Sequence, residues 1–155
     1  MLKPTKILVP TDFSIYSNFA LKQAIDIASE YGAEVYVLHV LEERIHYAMD
    51  EEYKGVISVK SIKRLEKDLV KLAKETLYKQ IKRVSSNNNV KIIPEVVLGI
   101  PYVEILRFQQ EKGIDLVVIS SIGHTGLARY FIGGVARIVL KGTTCPVLLT
   151  KGSKK

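Results

Sequence analysis

Short apolar runs alternate with longer stretches of helical periodicity along this chain, and that alternation sets the fold class before any single residue is weighed. Lys6–Pro10 reads as a buried strand. Thr11-Asp12-Phe13-Ser14 follows as a turn, with Ser14 placed to cap a helix that runs to about Tyr31. Within it Phe19, Leu21, Ala24, Ile25 and Ala28 recur at near-helical spacing, and Gly32 supplies the stop. Glu34–Val40 is the next strand. From Leu41 to about Ile57 the pattern fails, with His46, Tyr47, Met49, Asp50 and Tyr53 mixed without period, as expected of a mobile excursion.

Leu65, Leu69, Leu72, Leu77 and Ile81 mark the expected core face of a long helix, which the polar run Ser85–Asn89 ends. Val90–Leu98 reads as the third strand. Pro94 inside it has no N–H to give a ladder, which assigns that strand to a sheet edge or a bulge. Pro101 opens a helix to Lys112, Leu116–Ser120 is the fourth strand, Gly134–Lys141 the last helix and Pro146–Thr150 the fifth strand. Strands separated by helices imply a parallel sheet covered on both faces, an α/β fold. With 155 residues and no internal repeat, residues 1–155 are expected to form one domain.

Composition narrows the function classes. No apolar run approaches membrane-spanning length, and the N-terminal MLKPTKILVPTDFS lacks the long apolar segment of a signal peptide, so a cytoplasmic location and no membrane partner are expected. Cys145 is the one cysteine, which rules out an internal disulfide; it reads as a small buried hydrophobe beside Pro146. The net charge of +7 raises the question of nucleic acid. Between Ser58 and Val84 nine basic residues face only Glu66, Asp68 and Glu75, so most of the excess sits on one helix, where a solvated face accounts for it. The chain has no aromatic-interleaved basic groove, zinc-finger spacing or recognition-helix pattern, and no sequence-specific nucleic acid is expected as partner. Ser-His-Asp spacing, HExxH, CxxC and a Walker lysine are all missing. His124 stands without a second ligand or a carboxylate at fixed spacing, so no catalytic or metal-ligating residue is assigned. His39 reads as a core or strand-end residue.

The segment Leu116–Lys151 carries the most specific chemistry. An apolar strand runs into a glycine-punctuated loop, and a short helix opens at Gly133-Gly134. Glycines let backbone N–H groups approach an anion closely, and a helix N-terminus adds unpaired donors and partial positive charge. Nine residues separate Gly123 from Gly133. With Ser120 three residues ahead of Gly123, and Gly134 after Gly133, the segment resembles the G-x2-G-x9-G-[ST] nucleotide loop of the universal stress protein family. KILVPTDFS, Lys6–Ser14, is similar to that family's first strand and strand-end aspartate. VYVLHVLEE is similar to its second strand, and VVLGIPYVEIL, Val96–Leu106, to its loop with Gly99 and Pro101. Together these cover nearly the whole chain.

The resemblance implies a doubly wound five-stranded parallel sheet of order 3-2-1-4-5 with helices on both faces, in which the third strand is an edge. Ligands of such sheets bind outside the carboxyl ends of the strands where the order reverses, here between strands one and four. It further implies that Pro10, Thr11 and Asp12 line the adenine and ribose side, that Val40 packs against the base, and that Ile119 lies under the nucleoside. Gly123, Gly133, Gly134 and Val135 match the phosphate loop. The implied ligand is ATP, or ADP or AMP, with Mg2+, and the implied role is a stress-response signalling protein, homodimeric through its C-terminal strand, that reports nucleotide occupancy to a protein partner. Arg129 and Arg137 are candidate sources of charge for a phosphate.

Two positions depart from the motif. Ser120 replaces its first glycine, at a cost of about 1–2 kcal/mol if the backbone there is left-handed, and its hydroxymethyl would crowd the ribose. Gly134 replaces the Ser/Thr, which removes a hydroxyl worth about 0.5–1.5 kcal/mol. The same fold acting as a nucleotide-free interaction module is therefore the rival reading, and a slow nucleotide hydrolase a further one.

Overall fold

In the computed structural model, which describes residues 1–42, 58–86, 88–122 and 132–152, a five-stranded sheet has β1 (Lys6–Pro10) at its centre. β2 (Glu34–Glu42) and β4 (Leu116–Ser120) flank it, and β3 (Ile92–Gly99) and β5 (Val147–Thr150) form the edges, giving the order β3-β2-β1-β4-β5. Every strand pair is parallel. This is the doubly wound sheet and strand order expected. β2 runs two residues past its expected end, because Leu41 and Glu42 find partners in Leu98 and Gly99 of the edge strand.

Successive strand residues point to opposite faces, so the central strand feeds two cores. Ile7 and Val9 pack with Ala20, Leu21 and Ala24 of α1 (Ile15–Tyr31) and Leu77 of α2 (Val59–Val84). Leu8 packs on the other face with Ile105 and Phe108 of α3 (Pro101–Glu111) and Ala136 and Val139 of α4 (Gly134–Gly142). α1 has the expected termini: the Ser14 hydroxyl accepts from the Ser17 N–H, and Gly32 closes the helix at φ 70°, where a side chain is disfavoured. Pro94 sits opposite Val37 on β3, whose outer side has no neighbour strand among the described residues, so its missing N–H breaks no ladder.

The core face of α2 departs from the expected leucine row. Leu65 and Leu72 are exposed, and the residues that bury are Ala73, Leu77 and Gln80. The reason is length. Twenty-six residues of helix rise about 39 Å, whereas the eight of β3 span about 26 Å, so only the C-terminal half of α2 can lie over the sheet. Cys145 is half-buried rather than buried, with its sulfur 3.3 Å from the Thr143 hydroxyl. The expected excursion falls, from residue 43 to 57, outside the described residues.

The amino ends of the strands are clasped by Asp115, just before β4. Its carboxylate accepts from the Thr5 hydroxyl at 2.6 Å and from the backbone N–H groups of Thr5 and Lys6. Partial burial pushes its pKa up, but the Thr5 hydroxyl and the backbone donors outweigh that and hold it below the ordinary value. No helix among the described residues is long and apolar enough to cross a membrane.

Candidate functional site

At the carboxyl ends of β1 and β4, where the winding direction reverses, the loops part around a cleft of about 570 Å³. That volume lies within the range of sites that take a small organic molecule. Pro10, Thr11, Asp12, Val40, Ile119, Ser120, Gly133, Gly134 and Val135 all line it. These are nine of the ten residues singled out in the sequence; the tenth, Gly123, lies outside the described residues, as do His46, His124 and Arg129. Arg137 is exposed on α4 and is not part of the lining.

One wall is the β1–α1 turn. The Thr11 N–H donates to Leu38 O, so the chain continues β1's pairing for one residue and then breaks away. Asp12 Oδ1 accepts from the Ser14 N–H at 3.0 Å, and Thr11 Oγ1 from the Phe13 N–H at 3.1 Å. Asp12 is thus a turn former that also faces the cleft. Phe13 lies at φ 65°, the one non-glycine residue with positive φ among those described, and its ring stacks on His39 at 4.1 Å. A left-handed phenylalanine costs about 1–2 kcal/mol, which the stack and the two side-chain-to-backbone bonds help to offset.

Beneath this turn lies a buried polar network that the sequence did not disclose. Gln80, only 3% exposed, reaches from α2 to accept from the Thr11 hydroxyl at 2.9 Å and to donate to Ser17 Oγ at 3.1 Å and Asn18 Oδ1 at 2.7 Å. The Ser17 hydroxyl in turn donates to Ser14 O. Both atoms of the amide are therefore satisfied, and the turn is fixed to two helices at once. No pattern signals Gln80, since one glutamine on a lysine-rich helix reads as surface.

The opposite wall is the N-terminus of α4. Gly133 is its N-cap, at φ −56° and ψ 152°, and no side chain caps the helix. The Gly133 N–H is already used, donating to Ser121 O at 2.8 Å. The donors left for an anion are the first backbone N–H groups of the helix itself, at Gly134, Val135 and Ala136, which have no intrahelical acceptor and all line the cleft. A side chain at Gly134 would meet nothing within 4 Å.

Ser120 behaves differently from the motif-based expectation. Its φ is not positive, so the left-handed cost does not arise. Its hydroxyl donates to Ile122 O at 2.8 Å and accepts from the Ile122 N–H at 3.2 Å, folding the chain back at the end of β4. The serine makes by side-chain bonding a turn that a glycine would make by conformational freedom.

His39, a core or strand-end residue on the sequence pattern, belongs to the cleft lining, with Nδ1 2.8 Å from the Thr11 carbonyl oxygen. That oxygen can only accept, so Nδ1 carries the proton. Glu42 joins the lining through the unexpected last residues of β2, and Pro101, Ile105 and Ile122 complete the apolar floor. A polar residue interrupting the apolar run of β2 was the available signal for His39. Among the described residues no group of three or more His, Cys, Asp or Glu side chains is placed to hold a metal ion.

Comparison with known proteins agrees with this geometry. Residues 4–151 match the model of the Universal stress protein family. The universal stress protein MJ0531 of Methanocaldococcus jannaschii is 37% identical over 150 residues, which cover 97% of this chain and 84% of that protein. Among solved structures, that of MJ0577 from the same organism superposes with a TM-score of 0.79 at 29% identity, over 99% of this chain and all of the other. A universal stress protein in complex with cAMP shares the fold with a TM-score of 0.66 at 19% identity, over 96% of this chain and 98% of that one.

Proposed function

Because this chain belongs to the universal stress protein family, we propose that its cleft binds ATP or a related adenine nucleotide, and that occupancy serves as a signal in a cytoplasmic stress response. The observation that carries this reading is convergence. Asp12, Val40 and Ile119 come from three strand ends, and the open N-terminus of α4 faces them across one cleft. The bound cAMP of the related structure supports an adenine nucleotide. In this reading Pro10, Thr11 and Val40 take the base, and Asp12 accepts from ribose hydroxyls. Ile119 and Ser120 lie under the nucleoside, and Gly123, Gly133, Gly134 and Val135 surround the phosphates. A Mg2+ accompanying ATP would arrive with the nucleotide's phosphates, since among the described residues no group of three or more His, Cys, Asp or Glu side chains is placed to hold it.

The protein acts in this reading as a single-domain homodimer whose β5 strands pair, and a protein partner reads the occupied state. The apolar edge at Val147–Thr150, with Leu148 37% exposed, supports the dimer, since such an edge left open invites aggregation. The rival reading, a nucleotide-free interaction module, is favoured by the absence of a hydroxyl at Gly134 and the engaged Gly133 N–H.

Calorimetric titration with ATP, ADP, AMP and cyclic AMP tests the proposal. Saturable heat with at least one is expected, and Gly133→Val should abolish it, because the new side chain would fill the phosphate space while φ −56° accommodates valine without strain. No heat and no thermal shift at millimolar nucleotide with magnesium would favour the interaction module.

A further inference from the structure

Six of the nine basic residues between Ser58 and Val84 gather in the structure into one stripe along the long helix, with Lys63, Lys79 and Arg83 outside it. At about 100° per residue, Lys60, Arg64, Lys67, Lys71, Lys74 and Lys82 fall within about 80° of arc on α2, three or four residues apart, with Tyr78 filling the one longer interval. All six cations are exposed, as is Tyr78 at 61%. None of the six forms an ion pair among the described residues. The side chains that hold α2 on the sheet, Ala73, Leu77 and Gln80, lie about a third of a turn away, so the stripe faces outward. Asp68 and Glu75 run along one border only, and Glu95 of β3 lies across a shallow hollow from Lys74 and Tyr78. From Lys60 to Lys82 the stripe is about 33 Å long.

We propose that this face of α2 docks the phosphate backbone of a nucleic acid without regard to base sequence, an activity separate from nucleotide binding in the cleft. A row of cations along a rigid rod matches a polymer of regularly spaced anions, and displaced counterions supply the driving force. Five of the six cations are lysines, compact point charges that attract phosphate but lack the planar fork that reads guanine bidentately. A bilayer surface fits less well. Helices that lie on lipid insert apolar side chains that flank their cations, whereas the exposed leucines of α2, Leu65 and Leu72, are about 120–140° around the helix from the stripe.

The test uses the full chain, fluorescence anisotropy with two unrelated duplexes of about twenty base pairs, and a salt series from about 50 to 200 mM. Equal affinity for both duplexes is expected, with a steep fall as salt rises. Reversing Lys67, Lys71 and Lys74 together to glutamate should lower affinity at least about tenfold and flatten the log–log salt slope by about 3, near 0.9 for each phosphate no longer neutralised. A control that reverses the exposed Lys3, Lys22 and Lys151 makes the same change in net charge away from the stripe and should bind nearly as the parent does. Circular dichroism checks that each variant keeps its helix content. The proposal is overturned if the parent fails to bind either duplex at the lowest salt, if both triple variants lose affinity equally, or if vesicles containing phosphatidylserine bind while the duplexes do not.

Discussion

At the residue scale, two positions, Gln80 and Gly134, bear on how the cleft is held and what it holds. Gln80 is buried and holds Thr11, Ser17 and Asn18 through one amide. Gln80→Leu would remove one acceptor from the Thr11 hydroxyl, which keeps Ser17 Oγ at 2.9 Å, and the amide donor from Ser17 Oγ and the half-buried Asn18 Oδ1, at about 0.5–1.5 kcal/mol for each hydrogen bond lost. A fall in melting temperature of several degrees is expected, together with weaker nucleotide binding, because the loosened turn carries Asp12. Thermal denaturation and titration of the same preparation check both. Gly134→Ser tests the opposite change. The space beside Gly134 is open and its backbone begins α4, so a serine would add a hydroxyl at the helix N-terminus without displacing anything. Tightening of ATP binding by up to about tenfold is expected from one added neutral hydrogen bond. Unchanged affinity would place the phosphates away from this helix start.

At the scale of elements, the sheet has a functional end and a structural end. Asp115 ties the residues entering β1 to β4 at the end away from the cleft. Its folded-state pKa is depressed, so the folded state binds fewer protons than the unfolded state as the group titrates. The stability it contributes is therefore complete above the unfolded value, about pH 4, and is lost as pH falls through the lower folded value. Urea denaturation along a descending pH series should show this acid loss, and Asp115→Asn should both lower stability at neutral pH and flatten that limb. Nucleotide affinity near pH 7 should change little, since the substitution lies at the far end of the strands. α2 shows why element-scale reading misses a face: its leucines follow a helical period, but the sheet is too short to cover them all, and the period alone does not say which turns have a surface to meet.

At the scale of the whole molecule, the proposed dimer closes the apolar β5 edge. Pro146 O and Thr150 O accept from the β4 side, so alternation along β5 turns the Leu149 N–H to the open edge. If two copies pair through Val147–Thr150, Leu149→Pro removes that edge donor and should give monomer or aggregate, whereas the parent should sediment as a dimer at tens of micromolar. A parent that sediments as a monomer would remove the dimer from the proposed function. The alternation of strand and helix and the edge position of β3, marked by Pro94, are legible in the chain before it folds, whereas the strand order and most of the cleft lining are implied by its resemblance to the universal stress protein family. Apolar period, turn residues and glycine spacing are local properties, and a parallel sheet leaves few ways to arrange strands joined by helices. What those positions do to one another is settled only when distant segments meet. Folding brought Gln80 some sixty residues along the chain to the hydroxyls of Thr11 and Ser17, consumed the Gly133 N–H with Ser121 O, and turned Ser120 into a side-chain-bonded corner instead of a strained one. Hydrogen-bond partners, burial and backbone angle at a crossing point depend on which segments come together there, and no local pattern in the chain encodes that meeting.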